Sequence, residues 1–268
     1  NKFGWNNYNY FLYKHLARVI IGVFGMILMY NFKLKWLKKY SKQILILSWF
    51  IILFAYMFNA GSTRRFLVIN GKNIFTTSDF ARFALIIFTA DFIASNKKNI
   101  NTLKIIFSEY IIYALITLIL ILCQPDFSSS FIISCIAISM LIIGGLKIKY
   151  FAYTALLGGT FSMVAIKFYK PYMWKRFSDW FYGSEIIDLT SQVERAKQAL
   201  QQGGIFGSGF SESIIKEGFM AEVHTDFILP IIGEEIGFIG ILILFMLFFS
   251  FYFISVRVSK MAPDIFSS

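Results

Sequence analysis

The sequence has 268 residues, of which 57% are hydrophobic and only 15% are charged. Soluble domains carry roughly 25% charged residues, so this composition excludes an ordinary soluble globular domain. A net charge of +11 would suggest a nucleic-acid partner in a soluble domain, but here the basic residues lie between apolar segments. That arrangement is the topology signal of a membrane protein. We therefore expect an integral membrane protein that binds no nucleic acid.

Apolar segments of membrane-spanning length follow one another along the chain. A transmembrane helix needs about 20 mostly apolar residues. This criterion predicts an all-α, polytopic transmembrane helix bundle with seven spans, at 11–31, 42–59, 79–95, 105–123, 130–146, 150–167 and 228–255. No internal repeat or linker separates them, so we expect a single domain over residues 1–268.

The charges between the predicted spans alternate. The connections 32–42 and 96–104 and the turn 147–149 carry lysines and no acidic residue, and Arg257 and Lys260 follow the last span. Basic connections favour the cytoplasmic side of a membrane. By parity the other connections are external, including a long loop before the last span: 60–78, 124–129 and 168–227.

The segment 222–240 concentrates ionisable residues around the start of the last span. Pro230 suits the first turn of a helix, which places Asp226 just outside the helix at the outer membrane face. Thr225 or Asp226 in that position could simply be an N-terminal cap. Glu234 and Glu235 lie about 12 Å further along the helix. Ionisable groups at that depth are costly and indicate function or a partner, so we expect neighbouring helices to cover both.

Further polar residues share the predicted external side. Asp79 and Arg82 are spaced i, i+3 and therefore lie on one helix face, where they can pair. They form either a surface ion pair that contributes little or, with Arg64–Arg65, a cationic group facing an external cavity. The segment Gln124–Phe127 has the composition of a turn, which by itself explains its proline and aspartate. His224 is either a metal ligand or base, or a histidine near the interface with neither role.

Five segments of the chain together resemble the signature of the SEDS family (shape, elongation, division and sporulation), the FtsW/RodA/SpoVE group. Its Gly-Gly-x-Phe-Gly-x-Gly, His-Thr-Asp-Phe and Gly-Glu-Glu-x-Gly elements are similar to residues 203–209, 224–227 and 233–237. Its Gln-Pro-Asp turn and Lys-Pro-Tyr element are similar to 124–126 and 170–172. The long external loop looks more like FtsW than RodA. Family members have ten spans, so the seven here correspond to the second through eighth.

The resemblance implies a peptidoglycan glycosyltransferase that polymerises lipid II into glycan strands during cell division or elongation. It implies Asp226 as the catalytic residue, and inversion with a polyprenyl pyrophosphate leaving group. The candidates for binding substrate or pyrophosphate are Arg65, Asp79, Arg82, Lys170 and His224. The supporting candidates are Glu222, Thr225, Glu234, Glu235, Gln124 and Asp126.

The same resemblance implies the cellular setting. The site would face the periplasm from a multi-pass protein of the bacterial inner membrane. The partners would be lipid II, the nascent glycan strand, a class B penicillin-binding protein, divisome or elongasome proteins and membrane lipids. No cofactor is required, and a divalent cation such as Mg²⁺ or Mn²⁺ is optional. Two alternatives stay open: a flippase or transporter of polyprenyl-linked precursor, and an inactive division scaffold.

Overall fold

The computed structural model describes residues 10–59, 64–69, 72–101, 106–124, 126–147, 192–209 and 228–267. Within these ranges the chain is predominantly helical. The helices are α1 (Tyr10–Tyr30), α2 (Leu34–Lys39), α3 (Ser41–Phe58), α4 (Thr77–Asn96), α5 (Ile112–Cys123), α6 (Phe127–Ile143), α7 (Gln192–Gly203) and α8 (Ile228–Lys260). A π-helical turn, Ile106–Ile111, leads directly into α5.

Helices lie at six of the seven predicted spans. The remaining one, the sixth in chain order at 150–167, lies outside the described residues. Two of the described helices, Ser41–Phe58 and Ile228–Lys260, are long and apolar enough to cross a bilayer on length and composition. Shorter apolar helices occupy His15–Tyr30, Glu109–Cys123 and Ser128–Ile143. The number of membrane crossings therefore stays a prediction. The coarser prediction, a helical membrane protein, agrees with the structure.

The chain forms two compact units, one of residues 1–151 with 264–267 and one of residues 152–263 with 268. In the first unit, α4 is the central helix because it packs against both α3 and α6. Its inward side chains include Leu85, Phe88 and Phe92, all nearly inaccessible to solvent. α4 is less apolar than its neighbours because it carries Asp79, Arg82 and Asp91. It can be the central helix all the same, because its buried face is apolar.

The basic connections of the first unit meet at one end. Ser41, at the start of α3, donates a hydrogen bond of 2.5 Å to Asp91 near the end of α4. Asn101 donates to the carbonyl of Gly145 at 3.2 Å and accepts from the amide of Lys147 at 2.9 Å. The described parts of three lysine-bearing connections, 32–42, 97–101 and 147, therefore lie at one end of the helices, as the predicted alternation requires.

The connection between α3 and α4 contains a two-stranded antiparallel hairpin that the all-α prediction did not include. Strand β1 (Phe66–Ile69) pairs with β2 (Lys72–Thr76), with Phe66 opposite Thr76 and an irregularity between Leu67 and Val68. β2 runs directly into α4, so the helix begins at Thr77, two residues before the predicted start. The hairpin is short and its sequence has no strong alternation, which is why periodicity did not reveal it.

The second unit holds α7 packed along α8. Sequence periodicity predicted a continuous last helix, but α8 is interrupted at Gly237, whose φ of 77° and ψ of −169° are not helical. Such a combination of angles is accessible almost only to glycine. The correction has a sequence reason: glycine is common in transmembrane helices, so Gly237 by itself gave no sign of a break.

Apolar side chains cover the outside of several helices. On α8, for example, Leu247, Phe249 and Phe251 are each more than half exposed, and α1 is similarly lined. Contiguous exposed apolar surface on this scale marks a membrane or partner interface in proteins of known structure. Together with the apolar helix lengths, this surface indicates that lipid surrounds much of the chain.

Candidate functional site

The end of the first unit opposite the lysine connections is built from polar groups. We call it the polar end and define it by eight residues of the α3–α4 connection, the start of α4 and the α5–α6 turn: Arg64, Arg65, Thr77, Ser78, Asp79, Arg82, Gln124 and Asp126. Five of these eight, Arg65, Asp79, Arg82, Gln124 and Asp126, are site residues that the sequence predicted. The structure therefore brings together predicted residues that are up to about 60 positions apart.

Gln124 is the buried centre of the polar end, with 2% of its surface exposed. Its amide nitrogen donates to the carbonyl of Arg64 at 2.9 Å and to that of Ile52 at 3.2 Å. Its amide oxygen lies 2.9 Å from the Thr77 hydroxyl. Both amide protons and the amide oxygen are therefore used, as a buried polar group requires.

Thr77 extends this network to the next residue of the α3–α4 connection. Its hydroxyl lies 3.1 Å from the carbonyl oxygen of Arg65 as well as 2.9 Å from Gln124. A hydroxyl has one proton, so it is shared between the two acceptors or alternates between them. Gln124 and Thr77 together hold the backbone of Arg64 and Arg65, and this contact makes the 124–126 turn more than a simple chain reversal.

Asp126 joins the starts of two helices. One carboxylate oxygen accepts from the Ser78 hydroxyl at 2.8 Å, and the other accepts from the amide of Ser129 at 3.3 Å. The second bond makes Asp126 the N-cap of α6, a role in which aspartate is strongly preferred. Ser78 is fully buried in the first turn of α4. Asp126 therefore fixes the spacing between the beginnings of α4 and α6.

The side chains of Arg64 and Arg65 are exposed while their backbone is held. The guanidinium of Arg64 lies 5.0 Å from the ring centre of Tyr56, and that of Arg65 lies 5.0 Å from the ring centre of Phe66. Cations over aromatic faces gain a modest electrostatic attraction. These contacts keep two positive charges at the polar end with their hydrogen-bond donors accessible to an anion.

The predicted pairing of Asp79 with Arg82 is confirmed. A terminal guanidinium nitrogen of Arg82 lies 3.3 Å from a carboxylate oxygen of Asp79. The Arg82 Nε atom is buried without a hydrogen-bond partner among the described residues. Arg82 also lines an apolar recess between α4 and α6, together with Leu85, Ile133 and Ala137. Arg82 thus retains donor capacity beyond its pairing with Asp79.

In the second unit, the turn that follows α7 is bonded to the break in α8. We call residues 203–209 the glycine turn. The amides of Ser208 and Gly209 donate to the carbonyls of Glu234 and Glu235, at 2.8 and 3.2 Å. In the opposite direction, the amides of Phe238 and Ile239 donate to carbonyls of the turn, those of Gly204 at 2.9 Å and Ile205 at 3.3 Å.

These bonds satisfy backbone groups that the break would leave without partners. A helix end exposes carbonyls and a helix start exposes amides, and in lipid each unpaired group costs several kcal/mol. The hydroxyl of Ser208 adds a further bond of 2.9 Å to the Glu234 carbonyl. The glycine turn is therefore the element that makes an interrupted helix compatible with a membrane.

The glycines are needed because the two backbones touch. A Cβ atom on Gly207 would come closer than 3.0 Å to the Glu235 carbonyl, and one on Gly203 would do the same at the Gly233 carbonyl. A Cβ on Gly237 would overlap the backbone of Ile205 and Gly207. The Gly-Gly-x-Phe-Gly-x-Gly and Gly-Glu-Glu-x-Gly motifs are therefore two sides of one contact, which sequence reasoning did not connect.

Of the remaining predicted site residues, the structure describes two and leaves the others outside the described ranges. Glu234 is buried and Glu235 is partly buried, which agrees with the expected cover for the first and only in part for the second. Asp226, its neighbours Glu222, His224 and Thr225, and Lys170 lie outside the described residues. Sequence reasoning missed Thr77, Ser78 and Ser208, which as hydroxyl residues at helix starts and turns gave no distinctive signal.

Over the described ranges there is no group of three or more histidine, cysteine, aspartate or glutamate side chains that could hold a metal ion. Those residues therefore do not fit a protein-held divalent cation, and the optional Mg²⁺ or Mn²⁺ stays a prediction.

Comparison with known proteins decides the family. The sequence profile of the FtsW/RodA/SpoVE family of cell cycle proteins matches residues 2–268. The chain belongs to the FtsW/RodA/SpoVE family. Stage V sporulation protein E of Bacillus subtilis is 27% identical over 273 residues, which cover 98% of this chain and 74% of that protein.

Other relatives in the family carry enzyme names. A probable peptidoglycan glycosyltransferase FtsW of Bacillus subtilis is 32% identical over 90% of this chain and 63% of its own length. Its namesake in Saccharophagus degradans is 29% identical over 95% of this chain and 67% of its own length. This chain therefore matches about two thirds of the length of each of these two FtsW proteins.

The fold agrees with a solved structure described as "Structural coordination of polymerization and crosslinking by a peptidoglycan synthase complex". A chain of that complex superimposes with a TM-score of 0.73 over 96% of this chain and 72% of its own length. The identity is 15%, so the agreement establishes the fold alone. The chain thus shares its fold with one chain of that complex.

Proposed function

We propose that this protein polymerises lipid II into glycan strands at the outer face of the bacterial cytoplasmic membrane. The observation that carries the proposal is the polar end, where Gln124 and Thr77 bond to the backbone of Arg64 and Arg65 and where Arg82 pairs with Asp79. The family match over residues 2–268 and the glycosyltransferase names of the FtsW relatives support the same reaction.

The reaction needs stabilisation of a leaving diphosphate. The bond between the donor sugar's anomeric carbon and the polyprenyl diphosphate breaks, and the electron pair stays on the diphosphate oxygen. Cationic groups that are already in place when this charge grows lower the barrier. Arg65 and Arg82 are the proposed groups. The Arg65 side chain is exposed and its backbone carbonyl is bonded to Thr77, while Arg82 lies in α4 and is paired on one side with Asp79.

The reaction also needs a base. The 4-hydroxyl of the acceptor sugar forms the new bond to the anomeric carbon, and its proton passes to a carboxylate positioned within hydrogen-bond reach. We assign that role to Asp226 on the His-Thr-Asp motif. A single displacement of this kind inverts the configuration at the anomeric carbon and leaves no covalent bond to the enzyme.

The proposed setting includes a transpeptidase. The structural relative belongs to a complex described as coordinating polymerisation with crosslinking, and we propose a class B penicillin-binding protein as the corresponding partner here. The test is polymerisation of lipid II by the purified protein, with that partner present and absent. Glycan strands that appear when the purified protein is added, and not in its absence, support the proposal. No product under either condition contradicts it.

A further inference from the structure

We propose that the glycine turn and the break in α8 form a backbone joint that positions the connection carrying Asp226, so that Gly207 and Gly237 are positioning residues of the polymerase. The inference rests on the proposed function, because it assigns these glycines a role through Asp226. Neither glycine reaches the reacting atoms in the proposed mechanism. Their effect runs through the backbone of residues 203–209 and 233–239.

The first step of the argument is that both ends of one connection are attached to the same stretch of α8. Residues 210–227 run between Gly209 and Ile228 in the sequence. Gly209 is bonded to the carbonyl of Glu235, and Ile228 begins the helix that contains Glu235. The break in α8 therefore fixes the point at which the chain leaves for the His-Thr-Asp motif relative to the point at which it returns.

The second step is that the attachment is made in both directions. Two amides of the turn donate to α8, and two amides of α8 donate to the turn. A contact with donors on both sides resists sliding, because a shift by one residue breaks all four bonds. Ser208 reinforces the register through its hydroxyl bond to the Glu234 carbonyl.

The third step is that side chains are excluded from the joint. Gly207 has a φ of 85° and Gly237 has a φ of 77°, so an L-residue is strained at either position. A Cβ atom at either position would also overlap backbone of the opposing segment, which cannot rotate away as a side chain would. A methyl group is therefore expected to push the turn and the helix apart.

Gly204 provides a matched control. Its φ of 51° is positive like those of Gly207 and Gly237, but a Cβ atom there meets nothing within 4 Å. Asparagine tolerates a positive φ better than alanine does. Gly204→Asn thus tests the backbone angle without the close approach, while Gly207→Ala and Gly237→Ala test both.

The experiment combines steady-state polymerisation of lipid II with amide hydrogen exchange on the full chain in detergent. Displacement of a catalytic group by about 1 Å can cost on the order of 100-fold in rate, so we expect Gly207→Ala and Gly237→Ala to lower kcat by about 10- to 100-fold with little change in KM. Gly204→Asn is expected to keep normal kinetics. In the unmodified protein the amides of Ser208, Gly209, Phe238 and Ile239 should exchange slowly, and in Gly207→Ala they should exchange fast.

The outcomes separate the claims. Fast exchange of these amides in the unmodified protein would show that the joint does not exist, whatever the folding of the variants. A Gly207→Ala protein with fast exchange and normal kcat would overturn the positioning role and leave the proposed function intact. No polymerisation by the unmodified protein, with or without its partner, would overturn the proposed function. Normal polymerisation by Asp226→Asn would instead overturn the base role of Asp226, and the positioning role with it, while the exchange data would still decide the joint.

Discussion

Gln124 is the residue on which the polar end most depends. Removing its side chain leaves the Arg64 and Ile52 carbonyls without the amide protons that they accept, while the Thr77 hydroxyl keeps its bond to the Arg65 carbonyl. Unsatisfied buried groups cost about 1–3 kcal/mol each. Gln124→Ala is therefore expected to lower the free energy of unfolding by about 1–3 kcal/mol, measured by denaturant unfolding in detergent.

Gln201 offers a control of the same residue type, since its side chain is exposed on α7. Gln201→Ala should change the free energy of unfolding by less than about 0.5 kcal/mol, as surface substitutions generally do. Equal effects of the two substitutions would show that the amide network of Gln124 carries no stability.

Substitution of Arg82 distinguishes a structural role of this residue from a functional one. Its ion pair with Asp79 is partly exposed, and such pairs contribute about 0–1 kcal/mol. Arg82→Gln should therefore leave the free energy of unfolding within about 1 kcal/mol of the unmodified protein. Removing one preorganised donor from a developing charge costs on the order of 10²–10³ in kcat, and we expect a loss of that size in lipid II polymerisation.

Lys98 supplies the comparison for this prediction, because it belongs to the basic connections at the other end of the helices. Lys98→Gln removes the same charge and should leave polymerisation unchanged. If Arg82→Gln polymerises as well as Lys98→Gln does, the cationic role assigned to the polar end is wrong.

At the scale of helices, a pair of polar side chains fastens α3 to α5. The indole nitrogen of Trp49 donates to the hydroxyl of Thr117 at 2.8 Å, and Thr117 in turn donates to the Tyr113 carbonyl. Thr117 is completely buried. Hydrogen bonds between membrane helices average about 0.6 kcal/mol and reach about 1.7 kcal/mol.

A double-mutant cycle with Thr117→Val and Trp49→Phe should return a coupling free energy of about 0.5–1.5 kcal/mol. Thr117→Val keeps nearly the same volume. Trp49→Phe does not, but the cavity that it leaves is present in both legs of the cycle and cancels, so the coupling free energy reports the hydrogen bond. Ser250 is a suitable control, because its hydroxyl bonds only within its own helix, to the carbonyl of Met246 at 2.8 Å. Additive effects of Thr117→Val and Trp49→Phe would mean that the bond does not hold α3 to α5.

The positions of the helices could be predicted because membrane spans are long and strongly apolar. The Asp79–Arg82 pair could also be predicted, since the i, i+3 spacing by itself brings two side chains together. The break at Gly237 could not, because a glycine in an apolar run is compatible with both a continuous and a broken helix. The joint with Gly207 was hidden for a related reason: it is made by backbone groups, which leave no periodic pattern in the sequence.

At the scale of the whole molecule, charge distribution and hydrogen bonding agree on two distinct ends of the first unit. Lysine connections meet at one end, and the polar end lies where α4 and α6 begin. Because basic connections favour the cytoplasm, the polar end is expected to be external. The same parity makes the connection 168–227 external.

Cysteine labelling tests this topology. A cysteine placed at Ser184 should react with an impermeant reagent added to intact spheroplasts, and one placed at Lys98 should not. Cys123 and Cys135 are exposed in the described structure and must first be replaced by serine. Labelling of Lys98→Cys from outside would invert the proposed orientation and place the polar end in the cytoplasm.

The central claim is tested most directly by lipid II polymerisation with Asp226→Asn. Asparagine keeps the shape of aspartate and can still accept a hydrogen bond, so a capping role would survive with a loss of at most about 1 kcal/mol. Asparagine cannot take up a proton at neutral pH, so a general base would lose on the order of 10²–10⁴ in rate. Glu234→Gln, at a buried position of α8, is instead expected to impair folding or packing.

The measurement is the rate of glycan-strand formation by the purified, correctly inserted protein with its transpeptidase partner present. We predict that Asp226→Asn abolishes polymerisation while expression, membrane insertion and partner binding stay normal. Polymerisation by Asp226→Asn at a near-normal rate would contradict the assignment of Asp226 as the general base.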